Sequence, residues 1–168
     1  MKNFFIFFFS LLLLHSCDGP KQQPPSDQAA STESSDLLGP ISRSDLQKSP
    51  FNEWFDSGYQ SYQPDSSALA VNDYSDVEIL VFLGTRCSDS QREVPHLFKI
   101  LDHINFSKEK IKMIAVDEDK ANPAEAIKAW NIEYVPTIIF IKDQKEIDRI
   151  IEAPASTLEK DMQNILGQ

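Results

Sequence analysis

Bond-making chemistry in this chain has one well-placed candidate, Cys87, set in the run Thr85-Arg86-Cys87-Ser88-Asp89-Ser90-Gln91-Arg92-Glu93-Val94-Pro95. Ahead of it, Glu78 to Leu83 (EILVFL) reads as a buried strand; behind it, Val94, Leu97, Phe98 and Leu101 recur at helical spacing. Cys87 is therefore expected where a strand turns into a helix. Unpaired backbone N–H groups and the positive end of the helix dipole favour a thiolate there, and the thiolate is the nucleophilic form of cysteine. Arg86 adds a permanent cation beside the sulfur, and Ser90, about one turn on, can offer it a hydroxyl. These residue types support substitution chemistry at sulfur. They equally permit a cysteine that is simply a small buried apolar residue. No metal is expected. Of the histidines, His96 and His103 lie seven apart without zinc spacing, and Asp117 to Asp119 lacks the twelve-residue calcium pattern. His96 lies half a turn around the helix from Cys87 and is expected at the surface. No cofactor motif is present.

The elements that must hold Cys87 alternate along the chain. Phe51, Trp54, Phe55 and Tyr59 suggest a short amphipathic helix that Gly58 ends, before Tyr62-Gln63-Pro64 turns the chain. After the strand EILVFL, the cysteine helix is expected to reach about His103, followed by a strand Lys112 to Val116 (KMIAV) in a parallel βαβ unit. Asn122 as cap, Pro123 at the first helical position and Glu125 start a helix that carries Ile127 and Trp130 inward and ends near Asn131. Thr137 to Ile141 and Glu146 to Ile151, separated by the polar Lys142-Asp143-Gln144-Lys145, read as a hairpin. Ser156 and Glu159 form a capping box for a last helix burying Leu158, Met162, Ile165 and Leu166.

The order β-α-β-α-β-β-α, with Cys87 after the first core strand, Pro95 eight residues later and Tyr134-Val135-Pro136-Thr137 before a strand, resembles the thioredoxin family from about Val77 to Leu166. The string CSDSQREVP also resembles uncharacterised thioredoxin-like proteins of the Bacteroidetes envelope. The resemblance implies an α/β fold, a three-layer α/β/α sandwich around a mixed sheet. It also implies a cis peptide before Pro136, which turns the Val135 backbone toward the sulfur; proline makes that isomer affordable. Substrate would then lie against Arg86, Val135 and Pro136, with Cys87 and Ser90 as the catalytic pair.

This chain departs from the family pattern in ways that bear on mechanism. Ser90 replaces the second cysteine of C-x-x-C, so the isolated domain cannot close its own disulfide. Val81 replaces a buried acid six residues before the cysteine, and Arg86 replaces a tryptophan. A monothiol route remains complete. Cys87 attacks a substrate disulfide, and a second thiol, from the substrate itself, a small thiol or a partner reductase, releases it. A non-catalytic module that binds a peptide or protein in the same groove is the competing expectation. A thiol peroxidase is disfavoured, because peroxiredoxins carry threonine three residues before the cysteine and Thr85 is two before.

The N-terminus bears on compartment. Lys2 and the apolar run Phe4 to Leu14 are too short to span a bilayer, which needs about 20 residues, and read as a secretion signal over residues 1–16. Leu14-His15-Ser16-Cys17 resembles the lipobox of bacterial lipoproteins, implying lipid on Cys17 as a membrane anchor and a place outside the cytosol in the cell envelope. Cys87 would then be the one free thiol of the mature chain. Residues 17–40, rich in Pro, Ser, Gln and Asp, read as a disordered tether with a reach of roughly 25 Å. Residues 41–168 form one domain with a short helical lead-in. The net charge is −10, and removal of residues 1–16, whose single charged side chain is Lys2, leaves −11. A surface this acidic repels phosphate backbones, so nucleic acid is not an expected partner.

Overall fold

Strand β2 (Val77–Leu83) carries a polar side chain only at Glu78, and both of its faces are covered. Val77, Ile79, Val81 and Leu83 enter one apolar cluster, while Leu80 and Phe82 enter a second on the opposite face. That is the two-residue alternation of a central strand buried on both sides. The computed structural model of the protein describes residues 36–69 and 74–167. The run Phe4 to Leu14 and Cys17 lie outside them. Among the described residues, no helix is long and apolar enough to cross a membrane.

Around β2 lie the strands β1 (Gly39–Ile41), β3 (Ile111–Ala115), β4 (Thr137–Lys142) and β5 (Lys145–Ile151), in the order β1-β3-β2-β4-β5. β2 and β3 are parallel; the other pairs are antiparallel. Among the described residues five α-helices complete the fold: α1 (Arg43–Leu46), α2 (Asn52–Ser61), α3 (Ser88–His103), α4 (Ala124–Trp130) and α5 (Leu158–Leu166). Phe55 of α2, Leu97 and Leu101 of α3 and Met162 of α5 fill the first cluster, and Ile127 and Trp130 of α4 pack on the second. The layers are therefore α/β/α, the expected thioredoxin sandwich. β4 and β5 meet at Asp143 and Gln144, both with positive φ (50° and 63°), the two-residue turn that matches strand twist.

Four local expectations are corrected. Gly58 does not end α2; it lies inside the helix, where an added Cβ would come within 2.6 Å of Pro95 Cγ, so its absent side chain lets α2 and α3 close on each other. α4 begins after Pro123, which is itself the N-cap, with a cis Asn122–Pro123 bond. Thr157, not Ser156, caps α5 by accepting from the Lys160 N–H at 3.3 Å. Glu159 is buried, its carboxylate accepting from the Tyr62 hydroxyl at 2.9 and 3.0 Å and from the Asp65 N–H at 3.1 Å. His96 is half-buried, stacked on the Tyr62 ring with centroids 4.1 Å apart. Burial pushes its imidazole below the ordinary value of 6.5. The folded unit also takes in Gly39 and Pro40, placed in the tether by composition: with Ile41 they add an edge strand to β3.

Candidate functional site

Cys87 takes its position from the end of β2. After Leu83 the chain turns at Gly84, whose carbonyl accepts from the Cys87 N–H at 3.1 Å, and Cys87 in extended conformation (φ −75°, ψ 121°) is the N-cap of α3. Its carbonyl starts the helix by accepting from Gln91 N at 2.9 Å. The sulfur thus stands at the amino end of a sixteen-residue helix, where free N–H groups and the dipole stabilise negative charge. The Cys87 thiol donates to the Val135 carbonyl at 3.2 Å, and the Val135–Pro136 bond is cis. Gly84 makes this closeness possible: a Cβ there would lie 3.3 Å from Cys87 Cβ and 3.5 Å from Val135 Cγ2. Thr137 braces the loop by donating its hydroxyl to the Tyr134 carbonyl at 2.7 Å. Cys87 is partly exposed at a cavity of about 330 Å³.

The structure thus brings together Cys87, Val135 and Pro136 but gives Ser90 and Arg86 different partners from those expected. Ser90 is fully buried, and its hydroxyl accepts from the Gly84 N–H at 3.2 Å; it holds the turn that carries Cys87 and makes no hydrogen bond to the sulfur. Arg86 is exposed and turns its guanidinium to Asp36, Nε to Oδ1 2.9 Å, while the Thr85 hydroxyl donates to the same oxygen at 3.0 Å. The cation expected beside the sulfur is paired with a carboxylate from a segment read as tether. Val81 is fully buried within the first cluster.

Composition and spacing did not reveal the rest of the rim. The cavity is also lined by Tyr134, 51% exposed, by Val116, and by Asp117, Glu118, Lys120 and Glu152. Asp117 and Glu118 follow β3, and Glu152 follows β5. The parallel pairing of β3 with β2 and the return of β5 beside β4 deliver these strand ends to the edge at which Cys87 emerges. Glu152 takes a positive φ of 59°, and its N–H donates to the Pro136 carbonyl at 2.7 Å. The one sequence signal for Asp36 was the short apolar run Leu37-Leu38 after it, which now leads into β1.

A three-layer α/β/α domain with a cysteine at the N-cap of its first long core helix and a cis-proline loop against the sulfur defines the thioredoxin fold. A family model described as Thioredoxin matches residues 61–164, and the chain belongs to the thioredoxin family. It is similar to the TPR repeat-containing thioredoxin of Arabidopsis thaliana, 31% identical over 96 residues, which are 57% of this chain and 24% of that protein. It is also similar to thioredoxin H-type 1 of Nicotiana tabacum, 31% identical over 113 residues, which are 66% of this chain and 72% of that one. Among solved structures, thioredoxin O2 from Arabidopsis thaliana superposes with a TM-score of 0.42 at 20% identity, covering 67% of this chain and 86% of that one. The chain thus spans about a quarter of the first of these relatives. Thiol–disulfide oxidoreduction is the activity that the family suggests.

Proposed function

We propose that this protein carries out thiol–disulfide exchange outside the cytosol with Cys87 as its single reacting sulfur. The observation that carries the reading is the Cys87 sulfur at an α-helix N-cap, open to a cavity and 3.2 Å from the Val135 carbonyl beside cis-Pro136. As a thiolate, Cys87 attacks one sulfur of a substrate disulfide. That S–S bond breaks, a Cys87–substrate disulfide forms, and the other substrate sulfur leaves as a thiolate that takes a proton from water. A second thiol then attacks the mixed disulfide and returns Cys87. It is supplied by the substrate, which makes the net reaction an isomerisation, or by a small thiol or a partner reductase. Val135 and Pro136 hold the substrate backbone, with Val135 giving up its contact with the thiol. Ser90 acts as a positioning residue through Gly84, and Arg86, paired with Asp36, shapes the rim. The secretion-signal pattern of residues 1–16 and the lipobox-like sequence at Cys17 support a lipid-tethered domain in the bacterial cell envelope, with residues between anchor and fold serving as tether.

The test is adduct formation. Full-length chain incubated with 2-hydroxyethyl disulfide is expected to gain one mercaptoethanol moiety by intact mass, located on Cys87 by peptide mapping and abolished by Cys87→Ala. A sulfur that stays unmodified, together with client capture that survives Cys87→Ala, would replace this reading with the non-catalytic binding module.

A further inference from the structure

The cavity holding Cys87 has a charge pattern that the exchange chemistry does not require. Among the described residues its lining carries four carboxylates, Asp36, Asp117, Glu118 and Glu152, against two cations, Arg86 and Lys120. Arg86 and Asp36 form an ion pair at 2.9 Å, leaving Asp117, Glu118 and Glu152 opposed by Lys120, a net charge of −2 over the described rim residues. Asp117 is held ionised: it accepts from the Asn122 side chain at 2.8 Å and from the Ala121 and Asn122 N–H groups at 2.7 and 3.1 Å. Glu152 is attached to the cis-proline loop itself, through its N–H to the Pro136 carbonyl at 2.7 Å, on the surface a substrate must cross. Glu118 and Glu152 are both exposed at the rim.

We propose that this rim selects substrates by charge: disulfides flanked by basic groups, as in protein segments with Lys or Arg beside the cystine, are taken in preference to anionic disulfides such as glutathione disulfide. The inference rests on the exchange reading and names the substrate class of that same site. A concave, like-charged site concentrates counter-charged ligands and speeds their encounter by about tenfold or more, and ionic strength removes the effect. Exchange itself is charge-neutral in electrons: one S–S bond is replaced by another, and the leaving thiolate takes a proton from water.

The experiment compares three small disulfides of similar reach on the full-length chain: cystamine, a dication; 2-hydroxyethyl disulfide, neutral; and 3,3′-dithiodipropionate, a dianion. Rates of adduct formation on Cys87 are each divided by the rate of N-acetylcysteinamide, an uncharged thiol, which removes intrinsic differences between the leaving groups. All three probes meet one sulfur, so its ionisation cancels in the ratio. We expect the normalised cystamine to dithiodipropionate ratio to be about ten or more at 10 mM salt. It should approach one at 1 M salt and fall at least threefold in the Glu118→Gln/Glu152→Gln double variant. A normalised ratio of one at low salt, or a ratio unchanged in the double variant, overturns the charge selection while leaving the exchange reading in place. Absence of an adduct with every probe, the neutral one included, removes the exchange reading and this inference with it.

Discussion

At the scale of single residues, the site is defined by what occupies the place one turn after the sulfur. Ser90 differs from cysteine only in carrying an oxygen where cysteine carries the larger sulfur, lies fully buried, and accepts from Gly84 N–H. Ser90→Cys is therefore expected to retain the fold at a cost of about 1 kcal/mol, the worth of one neutral hydrogen bond, while supplying the resolving sulfur of a C-x-x-C pair. Insulin reduction with dithiothreitol as the electron source should be faster in that variant than in the parent chain, whose mixed disulfide must wait for an external thiol to release it. Failure of the variant to close a disulfide between positions 87 and 90 under mild oxidation would show that the α3 N-terminus cannot adopt the two-cysteine geometry. Cys87, Val135 and Pro136 were legible because cysteine and proline are rare residue types with narrow structural uses. The roles of Arg86 and Ser90 were not, because a guanidinium or a hydroxyl takes whichever partner the fold brings within reach, and here Asp36 and Gly84 do so.

At the scale of elements, the contact that seats the cysteine helix is the close crossing of α2 over α3 at Gly58 and Pro95. A Cβ at position 58 would sit 2.6 Å from the Pro95 ring, which is itself buried within α3 and has no flexible end to move aside. Gly58→Ala, normally favourable inside a helix by about 1 kcal/mol, is expected here to destabilise by about 1–3 kcal/mol through overpacking. Urea denaturation reads the change as a lower midpoint at unchanged slope, and a midpoint equal to or above the parent's would refute the close crossing. The hairpin of β4 and β5 and the strands around β2 were legible from two-residue alternation and a polar turn. Gly58 was misread because a glycine in a helical pattern signals an end or a close approach equally well, and which applies depends on the ring packed against it. β1 was missed for a related reason: three residues beside a polar stretch carry no periodicity, and they form a strand because β3 offers them an edge.

At the scale of the whole molecule, a polar cluster fastens the N-terminal lead-in to the core and gives stability an acid limb. Asp102 of α3 accepts from Arg43 of α1 at 2.7 Å and from the Tyr59 hydroxyl of α2 at 2.7 Å, and the Arg43 guanidinium lies 4.8 Å from the Tyr59 ring centre and 5.1 Å from that of Phe98. Burial opposes charge on Asp102, but the hydrogen bonds from Tyr59 and Arg43 outweigh it and hold the carboxyl below its ordinary value of 3.8. A carboxyl depressed on folding contributes stability that is fully present above that ordinary value and is lost as pH falls through its lower folded value. Asp102→Asn is expected to cost about 1–2 kcal/mol at pH 7, after allowing for partial exposure, and progressively less below about pH 4. Thermal melts of parent and variant at several pH values check it, and a stability gap that stays constant into acid would remove the charge from the explanation. His96, lowered by burial, adds in the same direction nearer neutrality: its share is whole above 6.5 and declines as pH falls below it.

Sequence alone determined the fold class, the strand and helix that present Cys87, and the lack of a second sulfur at position 90, because periodicity and rare residue types are local properties of the chain. Tertiary structure decided what surrounds the sulfur. Asp36, the adjacent Asp117 and Glu118, and Glu152 come from three separate stretches of sequence and meet at one cavity because β-sheet order returns the ends of β3 and β5 to the edge where β2 releases the cysteine. Charge around a site is a sum over neighbours in space, and no spacing along the chain encodes that sum.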